Sequence, residues 1–229
     1  MAIKEAEYSS SDIEVLSDRD HCRLRTQIYL GSTEPTNYEI PIFEKDDIKI
    51  KHKEFIPALF KGVNEILDNG LDELTQIKQK VKKIFLSHNT IDNTFKISDN
   101  GRGVPIDLHH QTGKHTPETV FTELRSGRNF NDAAKESGVI GTNGVGSSCT
   151  NYISEMFNVS IKRDGKFYEQ LYRDGTSIIN EPSINSYKGK DTGTCVEFKF
   201  DTTLKQFETT KLDYELIANR AFEIALNNP

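Results

Sequence analysis

Tryptophan is absent, cysteine occurs three times and proline seven times in 229 residues, and each scarcity removes a class of protein. Cys22, Cys149 and Cys195 stand far apart with no C-x-x-C pair, so neither a disulfide framework nor a zinc site is encoded. No apolar run approaches the roughly 20 residues a membrane-spanning helix needs. The first residues, MAIKEAEYSSSDIEVLSD, lack the basic and apolar regions of a secretory signal, so no membrane partner and a cytoplasmic location are expected. Basic residues are also in the minority, 29 against 35 acidic, which argues against a broad grip on nucleic acid by this chain alone. A phosphate ligand held by backbone N–H groups and a divalent cation fits that balance better, because it needs few lysines or arginines.

What remains is 35% hydrophobic, enough for a core, with no repeat and no linker of low complexity. Residues 1–20 read as an extended arm and 21–229 as one domain. Alternation around YEIPIF and DIKIKH predicts a hairpin over 38–55. Apolar residues Phe55, Leu59, Val63, Ile66 and Leu67 recur at helical spacing and predict a helix from Phe55 to Leu71. Two strands are expected over 81–87 and 94–98, then helices over Pro117–Leu124 and from about Asn143 to Met156. A strand meander over 157–200, with turns at Asp164-Gly165 and Asp174-Gly175, leads to a final helix, Leu212–Leu226. Strands segregated from helices predict an α+β fold: a two-layer sandwich of a mixed, mostly antiparallel sheet covered on one face by helices.

Three segments carry chemistry. In KGVNEILDNGLDE, Lys61, Glu65, Asp68, Asn69 and Asp72 share one sector of the helix, opposite the apolar stripe, giving a polar face with three acids. Gly70 costs on the order of 1 kcal/mol there against alanine and suggests a close approach. An acid and an asparagine one turn apart suit water activation by Glu65 and an oxygen ligand from Asn69 to Mg²⁺, which takes few protein oxygens. Asp99-Asn100-Gly101-Arg102-Gly103-Val104-Pro105 ends the second strand. Asp99 is an acceptor for the exocyclic amine of a purine, with Val104 and Pro105 as an apolar wall. Eight of the 15 glycines lie between Gly101 and Gly146. Gly141, Thr142, Asn143, Gly144, Val145 and Gly146 form a loop running into a helix, an arrangement that suits a triphosphate and matches neither a Walker A nor a Rossmann fingerprint.

In this order and spacing the motifs NEILDNGLDE, DNGRGVP, GTNGVGSS and DTGT resemble the N-terminal ATPase domain of type II DNA topoisomerases. That class, GHKL, also holds Hsp90, MutL and histidine kinases. PALFK and NGVGSSCTN are most similar to the large subunit of the T-even-type phage enzyme, which would place the protein in a host cytoplasm. The resemblance implies ATP and Mg²⁺ as cofactors, Glu65 as general base with Lys61 behind it, and Asn69 as the metal ligand. It implies Asp99 and Thr194 at the adenine, with Arg102, Gly103, Val104 and Pro105 as the wall. It also implies Asp72, Arg128 and Asn129 near the nucleotide, and a lid from Gly141 to Gly146. Tyr29 and Gly31 match the family's M-Y-I-G segment, although Thr26-Gln27-Ile28 departs from the residues usual before it. Nucleotide-induced homodimerisation through the arm, and DNA bound through the full-length enzyme, are further implications. The transducer lysine that reaches the γ-phosphate would lie beyond Pro229, so a piece of a longer enzyme is expected. Another GHKL ATPase, or a nucleotide-binding dimerisation module without turnover, is the alternative. His109, His110 and His115 read as a solvated loop, and the lysines from Lys78 to Lys83 as a solvated face.

Overall fold

The computed structural model describes residues 9–45, 47–78, 80–127 and 144–228. The first described residues, including Ile13 and Val15, are exposed and lead to helix α1 (Asp18–Leu24), which Ser17 caps by accepting from the Asp20 N–H. Helix α2 (Thr26–Leu30) follows and ends at Gly31, whose φ of 90° lies in the region glycine favours. Thr26, at the departure from the family pattern, is fully buried and donates to the Cys22 carbonyl.

Strands β1 (Thr36–Glu44) and β2 (Asp47–Phe55) form the expected hairpin as a separate two-stranded sheet. Helix α3 (Pro57–Thr75) starts with proline at its first turn, where a missing N–H costs nothing. It runs a full turn past the expected end because Leu71 and Leu74 continue the buried stripe.

The main sheet contains β3 (Ile84–Asn89), β4 (Thr94–Asp99), β5 (Ser154–Arg163), β6 (Lys166–Arg173), β7 (Ile178–Ile179), β8 (Ser183–Ser186) and β9 (Gly193–Phe200). Its order is β3-β4-β9-β5-β6-β7, with β8 also paired to β6. Each pairing among the described strands is antiparallel, so the sheet is not mixed. The physical reason is connectivity: β3–β4 and β5–β6 are hairpins, and no helical crossover joins neighbouring strands. Asp164 and Gly165, both at positive φ, make the tight turn between β5 and β6.

Alternate residues of the central strands face one buried layer. Phe95, Phe157, Phe198 and Phe200 are fully buried there, with ring centroids of Phe95–Phe198 and Phe198–Phe200 each 5.4 Å apart. The opposite face is polar and carries the Lys96–Glu197 and Lys199–Glu155 pairs. Helices α3, α4 (Thr116–Thr122) and α5 (Gly146–Tyr152) cover the apolar face. Helix α5 is shorter than expected, since Ser154 already belongs to β5. The last helix, α6 (Tyr214–Asn227), is capped by Asp213 and tied to the first hairpin by Lys51 and Lys53. Cys22 and Cys149 are fully buried while Cys195 is partly open. No helix among the described residues is long and apolar enough to cross a membrane.

Candidate active site

Helix α3 supplies the first wall, and its sequence stripe is more enclosed than periodicity alone implies. Glu65 is 21% exposed and pairs through Oε1 with Lys61 Nζ at 2.5 Å, the expected one-turn partner. Asp68 and Asp72, expected on a polar face, are instead 5% and 3% exposed. For Asp68 the reason is a second helix: Arg220 of α6 donates to Oδ1 at 2.9 Å. Burial raises the Asp68 carboxyl above the ordinary carboxylate range, and the Arg220 guanidinium opposes that rise. Gly70 faces the end of β4, where an added methyl would meet Asp99 Cβ and Ile84 at ordinary contact distance. A methyl would therefore fit, and the close approach expected at Gly70 is not found.

Helix α5 supplies the second wall. Asn69, an exposed residue, donates from Nδ2 to Ser147 Oγ at 2.6 Å, joining α3 to the first turn of α5. That bond leaves Oδ1 as an acceptor. Gly146 is buried so tightly that a Cβ there would overlap the Glu65 carboxylate. Val145 offers no side-chain cap, and the first turn of a helix has no internal acceptors for its N–H groups. Of the expected lid, Gly146 lies against α3, Val145 packs on the core and the Gly144 carbonyl accepts from the Ser126 N–H. Arg128, Asn129, Gly141, Thr142 and Asn143 fall outside the described residues.

The third wall is where β4 ends. Asp99 Oδ1 accepts from the Gly101 N–H at 2.7 Å, and the Thr194 N–H also bonds this carboxylate. Burial nevertheless dominates and pushes the Asp99 carboxyl up to about 6. Thr194 Oγ1 accepts from Val104 N at 3.1 Å, and Thr192 donates to the Gly101 carbonyl at 2.6 Å, so the DTGT segment is stitched to DNGRGVP. Gly193 is required here, because a side chain would collide with the Asp99 carbonyl. Gly103 is buried, Val104 half-buried and Pro105 exposed.

Arg102 is drawn toward α3. Its Nε and Nη2 donate to Glu73 Oε1 and Oε2 at 2.8 and 3.0 Å, and its N–H to Oε1 at 2.9 Å. Glu73, Ser147 and Thr192 lie inside the motifs NEILDNGLDE, GTNGVGSS and DTGT but carry no role in the sequence expectation, and Arg220 lies outside every motif. Glu73 also extends the four-residue steps of Lys61, Glu65 and Asn69. The partners of all four depend on tertiary contacts. His115 Nδ1 meets the Ile106 carbonyl at 2.7 Å. No group of three His, Cys, Asp or Glu side chains among the described residues could hold a metal.

Known proteins match this arrangement. The model of histidine kinase-, DNA gyrase B- and HSP90-like ATPases matches residues 56–204. The chain is 34% identical over 224 residues to a type 2 topoisomerase polypeptide of Aquifex aeolicus, covering 97% of this chain and 24% of that protein. It is 31% identical over 215 residues to DNA topoisomerase 2 of Arabidopsis thaliana, covering 91% of this chain and 14% of that one. Against the ATPase region of Saccharomyces cerevisiae topoisomerase II the TM-score is 0.84 at 28% identity, with 94% of this chain and 58% of that chain covered. These curated relatives are thus several times longer than the part matched here. From the α3 motif to the end of the main sheet, the chain belongs to the family of histidine kinase-, DNA gyrase B- and HSP90-like ATPases.

Proposed function

We propose that the chain is the ATP-operated part of a type II DNA topoisomerase, with ATP lying between α3, α5 and the end of β4. The observation that carries this reading is the convergence of three motifs distant in sequence: Glu65 against Gly146, Asn69 on Ser147, and Asp99 braced by Gly101 and Thr194. In this reading Asp99 accepts from the adenine amine, with Gly103, Val104 and Pro105 alongside the ring. Glu65, with one oxygen held by Lys61, orients the attacking water and takes its proton. Gly144 to Gly146 and the first turn of α5 face the phosphates.

Asn69 fits a magnesium ion, because one amide oxygen suffices when phosphates and waters complete the shell. Mg²⁺ would supply charge neutralisation on the phosphate oxygens. Arg102, Asp72, Arg128 and Asn129 complete the nucleotide surroundings of this reading, with Arg102 acting from its Glu73 anchor. The relatives named as topoisomerases support strand passage of DNA as the task of the parent enzyme. The exposed residues before α1 are the arm through which two copies would join when nucleotide is bound.

Calorimetric titration of the chain with a non-hydrolysable ATP analogue and magnesium tests the reading, together with a crystal grown from the mixture. One-to-one binding with adenine at Asp99 is expected. No heat and no bound nucleotide would overturn it.

A further inference from the structure

Arg220 sits on α6, outside the motifs, yet its guanidinium enters the helix that carries Glu65 and Asn69. Asp68, its partner, has a buried side chain and lies immediately before Asn69. The Arg220 side chain is 27% exposed, so the pair is part-buried and a modest source of stability, its attraction offset by the desolvation of Asp68. Two further polar atoms add a cost. Arg220 Nε and Asn64 Oδ1 are buried with no hydrogen-bond partner among the described residues. Both residues line a cavity of about 200 Å³ between β1, α3 and α6. An apolar side chain would fill that space at lower cost, so what the pair supplies is geometry.

That geometry is well determined. Arg220 Nη1 stands 3.5 Å from Glu223 Oε2, Asn219 Nδ2 donates to Glu223 Oε1 at 3.0 Å, and Asn219 Oδ1 accepts from the Phe43 N–H at 3.3 Å. Helix α6 is thus fixed to the first hairpin on one side and grips α3 on the other. We infer that Arg220 is a positioning residue: through Asp68 it sets the rotation of α3 that presents the Asn69 amide to Ser147 and to a nucleotide-bound cation. The inference rests on the nucleotide-binding reading above and adds to it a residue from the last helix.

The test uses the whole chain, with Arg220→Met, Arg220→Lys and the double variant Asp68→Asn/Arg220→Met, which removes the orphaned charge along with its partner. Thermal melts report stability. Calorimetry reports affinity for adenosine, for ADP in EDTA and for ADP with Mg²⁺, while the Asn69 side-chain amide signal in NMR reports its bond to Ser147 without any ligand. Arg220→Met should cut the magnesium-dependent gain in ADP affinity about tenfold and shift the Asn69 amide signal, with adenosine affinity unchanged. Arg220→Lys should recover part of both. The double variant should regain melting temperature but neither of these. Unchanged magnesium dependence and an unmoved Asn69 signal in a folded Arg220→Met chain would overturn the inference, as would recovery of both in the double variant. Failure of the unsubstituted chain to bind ADP would instead remove the nucleotide reading.

Discussion

Gly146 and Glu65 touch across two helices, with the glycine Cα packed against the carboxylate oxygen that Lys61 does not hold. No residue with a Cβ fits at 146 while Glu65 keeps its place. Gly146→Ala should therefore displace the carboxylate rather than unfold the domain. A displacement of about 1 Å at a reacting group costs on the order of 10²-fold in rate. Steady-state phosphate release by the parent enzyme checks this, with nucleotide affinity as the control that should change little.

Removing the carboxylate itself separates binding from chemistry. Glu65→Gln keeps the size of the side chain and its contact with Gly146 but cannot accept a proton. Loss of a general base lowers turnover by about 10²–10⁴. Nucleotide affinity measured by calorimetry should stay within a few-fold. A loss of affinity matching the loss of rate would make Glu65 a binding residue.

Asp99 should couple adenine recognition to pH. Its folded-state pKa of about 6 exceeds the ordinary 3.8, so the folded chain holds this proton more tightly than the unfolded one. The corresponding stability is present in full at acid pH and is lost as pH rises through about 6. Asp99→Asn, which never ionises, should gain melting temperature relative to the unsubstituted chain between pH 4 and pH 8. Its affinity for adenosine should fall about tenfold at pH 8, because a charge-assisted acceptor is gone. Adenosine has no phosphate that titrates in this range, so its affinity for the unsubstituted chain should weaken as pH drops below about 6.

The Arg102–Glu73 fork predicts a modest structural effect. Arg102 is half-exposed, its side chain 52% accessible against 13% for Glu73, so solvent screens the pair. Glu73→Ala should cost about 1 kcal/mol in chemical denaturation. It also frees the DNGRGVP turn, and adenine nucleotides should bind more weakly to the variant than inorganic triphosphate does.

Much of this is legible in the residues alone. The α3 stripe, both hairpins and the Asp164-Gly165 turn follow from local periodicity and turn chemistry, which depend on neighbours in sequence. Glu65, Lys61, Asn69 and Asp99 stand out because acids and amides at helical spacing, or at a strand end beside glycines, have few structural reasons to be there. What the pattern cannot reveal is what covers a face. Asp68 and Asp72 look solvent-facing until the surrounding structure encloses α3, and the Arg220 partner of Asp68 lies 152 residues away. The same holds for Arg102, whose direction is set by Glu73. Helix α5 reads too long because Cys149, Tyr152, Ile153 and Met156 keep the three- and four-residue steps of a helix past its end at Tyr152. The sheet, expected to be mostly antiparallel with some mixed pairing, is antiparallel in each described pairing, a detail set by strand order, which no local signal encodes.

The three thiols differ sharply in access. Cys22 and Cys149 are sealed, while Cys195 opens partly onto the polar side of β9, next to Thr194. Burial raises its pKa, so it should alkylate slowly but ahead of the others. A dye attached there would sit one residue from Thr194, on the far side of the sheet from the proposed adenine site, and would report nucleotide arrival without a cysteine having to be engineered.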